Sequence, residues 1–273
     1  MAAQVTAPVG ARDGRTAKVP VLGPWSSVTG HWLVKYRRMW AGTAVSSFLA
    51  PLMYLAGMGL GLGALLDQGV GGVPYVTFIA PGLLAATALQ TGAGETTFSV
   101  MGSIKWNPIY QGMLATPLGP RDVVTGHLVF VAIRVLVVSV VFFAVAAALG
   151  AVPSWWGVLA VPVAALGGVA FAACCYAYSA TLSSDKGLVL VMRFVVMPMM
   201  LFSGTFFPVE QLPGYLQPVA WATPLWHAVE ASRALTLGVA TTPVVAGHVA
   251  YLLLWLVVGW WLSGRVLRRR MVV

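Results

Sequence analysis

Ionisable side chains that interrupt long apolar runs are the first candidates for chemistry in this sequence. Glu95, Arg134 and Arg193 each lie inside such a run, towards one end of it. An ionised group inside a bilayer is costly, so a carboxylate there favours a basic partner. We therefore expect an inner polar network in which Glu95 pairs with Arg134 or with Arg193. The pair would be either a structural link between helices or part of an inner gate that rearranges between two states.

Residues typical of metal, redox or nucleotide chemistry are few and scattered. Cys174 and Cys175 are adjacent, which is too close for normal disulfide geometry, so we expect free buried thiols. The chain has no GxxxxGK[ST] phosphate-binding loop, and we expect it to hold no nucleotide itself. We expect no catalytic residue, no metal and no directly bound cofactor. The four histidines lack the spacing of metal ligands: His31, His127, His227 and His248.

The composition restricts the class of protein. Of 273 residues, 59% are hydrophobic and only 8% are charged, whereas a soluble domain usually carries about 25% charged residues. This excludes an ordinary soluble enzyme and a disordered chain, and it predicts an all-α polytopic membrane protein. The net charge of +9 comes from bases gathered at the ends of apolar runs, a pattern that indicates topology, so we expect no nucleic-acid partner.

Six apolar stretches have the roughly 20 residues that a transmembrane helix needs. If both termini are cytoplasmic, 13 of the 16 Lys and Arg residues fall on the cytoplasmic side of the membrane. The exceptions are Arg134, Arg193 and Arg233. The positive-inside rule therefore predicts an N-in, C-in topology. We expect a flexible cytoplasmic tail over residues 1–24, a membrane domain over 25–268 and a short cytoplasmic tail over 269–273. The predicted spans are residues 42–66, 75–101, 123–149, 155–182, 187–207 and 244–264.

The segment before the first span has the pattern of a basic amphipathic helix. Over residues 25–40, most aromatic and aliphatic side chains fall on one side of a helical wheel and the basic ones on the other. Such a helix is suited to lie at the inner membrane surface. It is either a lipid anchor or an anchor that also touches a cytoplasmic partner. Its marked residues are Trp25, Trp32, Lys35, Tyr36, Arg37, Arg38 and Trp40.

The inner connection between the second and third spans predicts a short helix. Asn107 is a plausible N-cap with Pro108 at the first helical position, and Pro117 stops the helix. We expect its apolar side chains to face the cytoplasm, where they would need a protein partner or the membrane surface. These side chains are Ile109, Tyr110, Met113 and Leu114.

The outer connection after the fifth span is long and apolar. Prolines divide it into short pieces, and Thr223 followed by Pro224 predicts a helix that ends near Leu237. Pieces of this length cannot span, so they would dip into the outer leaflet or close the top of a cavity. The expected helix carries Glu230 and Arg233 at i, i+3. The marked residues of the segment are Phe206, Phe207, Pro208, Glu230 and Arg233.

Several short stretches are informative as an ordered set. They are YVTFIAPGLL at 75–84, Glu95, YQGMLATPL at 110–118, Arg121-Asp122, SGTFFP at 203–208, Leu212-Pro213, and Pro224-Leu225 with Arg233. With this order and spacing, residues 25–268 resemble the permease subunits of type-2 ABC exporters. The resemblance is greatest to the branch that holds daunorubicin-resistance and nodulation-factor export permeases.

This resemblance implies a bacterial plasma-membrane protein that works as a dimer of permeases, identical or not, with two cytoplasmic ATPase subunits. Those subunits would hold the ATP and Mg that power transport. By the same resemblance, residues 25–40 are the interfacial helix, and residues 107–116 are the coupling helix that sits in a groove of the ATPase. Residues 208–237 would form re-entrant outer helices. Substrate would pass between the two permeases, mainly along the second and fifth spans.

The cargo stays open at this stage. The leading expectation is a hydrophobic or amphiphilic compound such as an antibiotic or drug, and the alternative is a lipid-linked glycan or envelope lipid. A different class, an ion-coupled secondary transporter, would need several intramembrane acids as a relay, and only Glu95 qualifies.

Overall fold

A computed structural model describes residues 23–62, 69–70 and 72–271, and within these residues the chain is helical with no strand. The expected tail over residues 1–24 therefore lies almost wholly outside the described part, as do the last residues of the first predicted span. Four helical stretches are long and apolar enough to cross a membrane: Tyr75–Trp106, Pro120–Ala148, Trp155–Thr181 and Thr242–Met271. The prediction of an all-helical membrane protein is confirmed at this level.

The described residues of the first half of the chain form five α-helices and two π-helical segments. Helix α1 (Trp25–Tyr54) continues as a π-helical segment, Leu55–Leu62. Helix α2 (Tyr75–Thr96) is followed by α3 (Phe98–Met101) and a π-helical turn, Gly102–Trp106. The short helix α4 (Ile109–Leu114) then leads to the long helix α5 (Pro120–Ala148).

The second half begins with a 3₁₀ turn, Trp155–Leu159, that runs into α6 (Ala160–Thr181). Helices α7 (Lys186–Val191) and α8 (Met197–Phe202) are joined by a π-helical turn, Met192–Val196, where the fifth span is predicted. The outer connection holds a 3₁₀ turn, Val209–Gln211, and two helices, α9 (Gln217–Trp221) and α10 (Pro224–Leu237). Helix α11 (Thr242–Met271) completes the described chain.

Helices α2 and α6 pack closely in the centre of the bundle, and small residues make this possible. A Cβ atom added to Gly92 would lie 2.4 Å from the Gly168 carbonyl oxygen, and one added to Gly168 would lie 2.5 Å from the Ala88 carbonyl oxygen. On the other side of α6, a Cβ atom on Gly259 of α11 would lie 2.8 Å from Cβ of Ala173. Helices in a bilayer gain little from hydrophobic association, so close van der Waals contact of this kind supplies much of their packing energy.

Helix α1 is continuous where a separate interfacial helix was expected. The amphipathic segment over residues 25–40 and the start of the first predicted span form one uninterrupted helix. The sequence has no proline between Trp25 and Ala50, so nothing in this stretch breaks the hydrogen-bond ladder. The first part of α1 packs on α5, where Thr29 Oγ1 donates to the Gly126 carbonyl oxygen at 2.9 Å.

Candidate functional site

The buried ion pair lies between α2 and α5. Arg134 Nη1 is 2.8 Å from Glu95 Oε1, and the two side chains are only 6% and 20% exposed. The Arg134 guanidinium also lies 4.4 Å from the ring centroid of Tyr36. Of the two pairings that the sequence left open, the structure forms the one with Arg134. Arg193 is exposed on its π-helical turn and lies outside this pair.

Helix α1 forms one wall of this site. A cavity of about 170 Å³ beside the ion pair is lined by residues of α1, α2 and α5 together with Ser99 of α3. On α1, the Lys35 ammonium lies 4.7 Å from the ring centroid of Trp32, and Trp32 is buried. The interfacial residues and the inner polar network, expected as two sites, therefore share one cavity. Its lining residues are Trp32, Lys35, Tyr36, Glu95, Ser99, Phe130 and Arg134.

The other marked residues of the interfacial helix whose side chains are described do not line this cavity. Arg37 and Arg38 are exposed, as expected for the polar side of the helix. Trp25 is half-buried at the start of α1, where its carbonyl oxygen lies against Gly126 of α5. Trp40 belongs to α1 by its backbone, and its side chain lies outside the described residues.

Tyr110 of α4 points into the bundle, and the expectation that it faces the cytoplasm is wrong. Its side chain is fully buried, and its hydroxyl lies 2.6 Å from Nδ1 of His127 on α5. Burial raises the pKa of Tyr110 well above its usual range, so the phenol stays neutral. The phenol can donate to the imidazole or accept from it, and the tautomer of His127 decides which group donates.

An aromatic cluster surrounds this hydrogen bond. Trp32 stacks on the His127 ring with centroids 4.2 Å apart and planes 13° apart. Tyr176 of α6 lies edge-on to His127 and parallel to Tyr110. Helices α1, α4, α5 and α6 thus meet at one fully packed point. The roles of His127 and Tyr176 were not predicted. The only feature of the sequence that could have marked them is a polar aromatic ring inside an apolar run.

The exposed surface of α4 is more polar than the sequence pattern predicted. Ile109, Met113 and Leu114 are half-buried, and Met113 and Leu114 pack against the core. The exposed side of α4 and of the turn after it carries small or polar residues. These are Gln111, Gly112, Ala115 and Thr116.

The expected N-cap of α4 is also wrong. Asn107 adopts an extended conformation and makes no capping contact, and Pro108 takes the N-cap position without a side-chain hydrogen bond. The reason is the preceding π-helical turn: the Asn107 amide donates to the Gly102 carbonyl at 2.8 Å and so ends that turn instead. The helix does stop before Pro117, as predicted.

Arg233 of α10 organises the outer segment. It is buried, pairs with Glu230 of the same helix and donates to the Gly204 carbonyl oxygen at 2.5 Å. Its guanidinium also lies 4.1 Å from the ring centroid of Phe78 on α2. One arginine therefore ties the turn after α8 and helix α10 to the central helix.

The chain between Gly204 and α9 rests on α2. The Tyr75 hydroxyl donates to the Phe206 carbonyl oxygen at 3.2 Å, and a Cβ atom on Gly82 would lie 2.6 Å from the Thr205 carbonyl oxygen. Phe206, Phe207 and Pro208 are half-buried in this turn. The predicted helix after Thr223 is confirmed, and the Thr223 hydroxyl caps it by accepting from the Trp226 amide at 3.2 Å.

Two histidines that are distant in sequence meet at this end of the bundle. Nδ1 of His227 on α10 lies 2.8 Å from Nδ1 of His248 on α11, and Tyr251 stacks on the His227 ring. Burial, and then the neighbouring His248, lowers the pKa of His227 to about 4. One ring donates to the other, and the tautomers decide which ring is the donor. Local spacing could not reveal this pair, because its members lie on different helices.

Comparison with known proteins gives a consistent assignment. The family model described as "ABC-2 type transporter" matches residues 25–237. The protein named "Nodulation protein J" of Rhizobium leguminosarum bv. trifolii is 34% identical over 252 residues, which cover 89% of this chain and 94% of the relative. Its namesake in Rhizobium meliloti (strain 1021) is 33% identical with the same coverage. "Inner membrane transport permease YadH" of Escherichia coli (strain K12) is 22% identical over 81% of this chain and 87% of that permease.

Proposed function

The chain belongs to the ABC-2 type transporter family, and we propose that it is the membrane subunit of an ATP-driven exporter. It moves a hydrophobic or amphiphilic compound out of the cytoplasm or the inner leaflet. The single observation that carries this proposal is the family match over almost the whole membrane domain. The energy comes from ATP and Mg on a separate ATPase subunit, and this chain is not itself a catalyst.

The proposed architecture has six spans with both termini in the cytoplasm of a bacterial cell. Four spans are the long apolar helices. The first is the later part of α1 with its π-helical continuation, and the fifth is the stretch from α7 through α8. The membrane domain covers residues 25–268, with tails over 1–24 and 269–273. In this topology α4 and the C-terminal end of α11 face the cytoplasm, while α9 and α10 are re-entrant helices of the outer leaflet.

We place the contact with the ATPase at the exposed side of α4. Docking there transmits motion because Tyr110 connects α4 to His127 of α5 and, through the stack on Trp32, to α1. A displacement of α4 must therefore carry α5 and α1 with it or break a fully buried cluster. Both of these helices also line the cavity beside Glu95 and Arg134, so the ion pair is well placed to rearrange as an inner gate.

We place a second permease, identical or related, against the fifth span. The substrate path lies along this span, between the two permeases. Phe194, Met197 and Leu201 are spaced on one side of this helical stretch and are 71%, 64% and 49% exposed. An apolar face of this kind contacts either lipid or another membrane protein. The family resemblance assigns this span to the centre of the dimer, and two ATPase subunits then sit below the two permeases.

For the cargo, the relatives above 30% identity favour the nodulation branch of the resemblance over the daunorubicin branch. We therefore place amphiphilic compounds ahead of purely hydrophobic drugs. A lipid-linked glycan or envelope lipid would use the same machinery. An ion-coupled transporter is disfavoured, since Glu95 is held by Arg134 and lacks a chain of further acids.

The test is co-purification of the permease with a candidate ATPase encoded by a neighbouring gene, followed by reconstitution into liposomes. We expect a stable complex whose ATP hydrolysis rises with transported compounds and whose transport stops when the phosphate-loop lysine of the ATPase is replaced. Transport that survives this replacement but collapses with the proton gradient would contradict the proposal.

A further inference from the structure

A cavity lined by arginines lies at the C-terminal end of α11, and the proposed export function makes no use of it. Its volume is about 920 Å³, and it opens between the start of α5 and the last turns of α11. Four arginines line it, together with a tryptophan and small residues that leave the space open. The lining residues are Gly119, Pro120, Arg121, Trp261, Gly264, Arg265, Arg268 and Arg269.

The arginines of this cavity converge from two helices. Arg265, Arg268 and Arg269 follow one face of α11 at i, i+3 and i+4, and Trp261 precedes them on that face. Arg121 projects from the first turn of α5, where its Cγ would lie 3.4 Å from a Cβ atom on Gly264. The two helices are held together here by the Trp260 indole, which donates to Thr125 Oγ1 at 2.9 Å.

Among the described residues that line the cavity, none is acidic. The nearest carboxylate along the chain, Asp122, lies at the edge of the cavity, where it accepts the amide of the lining residue Gly119 at 2.9 Å. Arg270, the next base along α11, is turned away, because it donates to the Ala180 and Leu182 carbonyl oxygens at 2.5 and 2.7 Å. The four lining arginines are exposed, so water and salt screen part of their mutual repulsion, and an anion bound among them would relieve the rest.

We propose that this cavity binds the phosphate headgroup of an anionic phospholipid of the inner leaflet. Guanidinium groups bind phosphate through paired, charge-assisted hydrogen bonds. Basic pockets between transmembrane helices on the cytoplasmic side are suited to such headgroups. In the proposed topology, on which this inference rests, the site lies where an apolar helix surface ends and basic residues begin, which is the depth expected for lipid phosphates.

The surface above the cavity fits the rest of the lipid. Trp261 is 47% exposed at the rim, with the Arg265 guanidinium 5.1 Å from the centroid of its ring. Higher on α11, Val258 and Leu262 are exposed and offer an apolar surface for acyl chains. A soluble anion would use the arginines alone, whereas a phospholipid uses both surfaces. This continuity favours a lipid over a free phosphate.

The test is lipid retention by the purified full-length permease in detergent, measured by native mass spectrometry during titration with phosphatidylglycerol. The cavity variant is Arg265→Gln with Arg269→Gln. The control variant is Lys105→Gln with Lys186→Gln, two exposed bases outside both the cavity and the interfacial helix. A second arm replaces phosphatidylglycerol by phosphatidylcholine, and a third adds inorganic phosphate as competitor. Thermal unfolding without added lipid checks that each variant is folded.

We expect the cavity variant to bind phosphatidylglycerol about thirtyfold more weakly than the wild type. The control should stay within about twofold, because its lost charges lie outside the cavity and are screened by salt. Phosphatidylcholine should not be retained, and inorganic phosphate should not displace the lipid. Equal retention by cavity and control variants would overturn the site, and displacement by phosphate alone would overturn its assignment to a lipid. If the double variant does not fold, Arg269→Gln alone provides the same comparison with a smaller loss.

Discussion

The Tyr110 hydroxyl and Nδ1 of His127 lie 2.6 Å apart, and this contact joins the short inner helix α4 to the long helix α5. Both side chains are fully buried. The bond therefore forms where water cannot replace either partner, which makes its loss costly. It also gives α4 a defined mechanical connection to the bundle, in addition to its apolar contact.

Replacing Tyr110 by phenylalanine should remove this hydrogen bond and keep the packing. We expect a loss of about 1–3 kcal/mol in unfolding free energy, because Nδ1 of His127 is left buried without a partner. In the complex, transport per ATP hydrolysed should fall while basal hydrolysis persists. The measurements are thermal unfolding and paired transport and ATPase assays. The matched control is Tyr178→Phe, whose exposed hydroxyl makes only a 3.5 Å contact, and an equal effect of both variants would contradict the coupling role.

A negative charge on the exposed side of α4 should disturb docking of the ATPase without disturbing the fold. Gln111→Glu changes one exposed side chain by charge alone. We expect uncoupled hydrolysis or a weaker complex, with an unchanged melting temperature. Met113→Glu should also uncouple, but it should lower the melting temperature too, because Met113 is half-buried.

The control for this charge is Gln211→Glu, the same chemical change on an exposed residue of the outer segment. Its complex with the ATPase and its coupling ratio should match the wild type. Normal coupling in both Gln111→Glu and Met113→Glu would show that α4 is not the docking helix.

Substitutions of Glu95 and Arg134 should have strongly non-additive effects on the free energy of unfolding. Arg134→Gln leaves a carboxylate buried without its partner, and we expect a loss of about 3–5 kcal/mol. Glu95→Gln should cost less, because the Arg134 guanidinium keeps its contact with the Tyr36 ring. The double variant should be more stable than the sum of the two losses predicts, since it removes both charges. Unfolding of all four proteins in one detergent gives the coupling energy, and additive losses would mean that the two groups do not interact.

Gly82 should be far less tolerant of a side chain than Gly94 on the same helix. A Cβ atom at Gly82 would meet the Thr205 backbone at 2.6 Å, whereas none of the described atoms lies within 4 Å of a Cβ at Gly94. Gly82→Ala should therefore displace the outer segment and cost about 1–3 kcal/mol. Gly94→Ala should be neutral or stabilising by up to about 1 kcal/mol, because alanine favours helix. Equal stability of the two variants would contradict the position of the outer segment.

The contact between α10 and α11 should weaken as the pH falls. The pKa of His227 is lowered to about 4 in the folded protein, below its ordinary value near 6.5. Between these two values the unfolded chain binds the proton more readily, so stability is lost as the pH falls from about 6.5 towards 4. Melting temperatures at a series of pH values check this. His227→Gln should make this dependence shallower, and a slope unchanged from that of the wild type would contradict the prediction.

The sequence by itself determined the class of protein and the position of its charges. Low charge content predicts helices in a membrane, because only helices and closed barrels satisfy every backbone group in lipid. An isolated intramembrane carboxylate such as Glu95 predicts a basic partner for the same energetic reason. The helix that begins after Thr223 and the stop before Pro117 were likewise predictable, since capping and proline chemistry act within a few residues.

Only the tertiary structure decided which groups meet. Whether Glu95 takes Arg134 or Arg193 depends on the rotation of each helix about its axis, which packing against the neighbouring helices sets. Tyr110 was expected to face water because its local pattern is that of an isolated amphipathic turn, yet the bundle supplies His127 as a buried partner. Gly82 and Gly94 are both glycines within the same apolar helix, so the sequence does not distinguish them. They differ because the Thr205 backbone approaches Gly82 and not Gly94. Contacts between residues far apart in the chain carry no local signal, so the fold had to supply them.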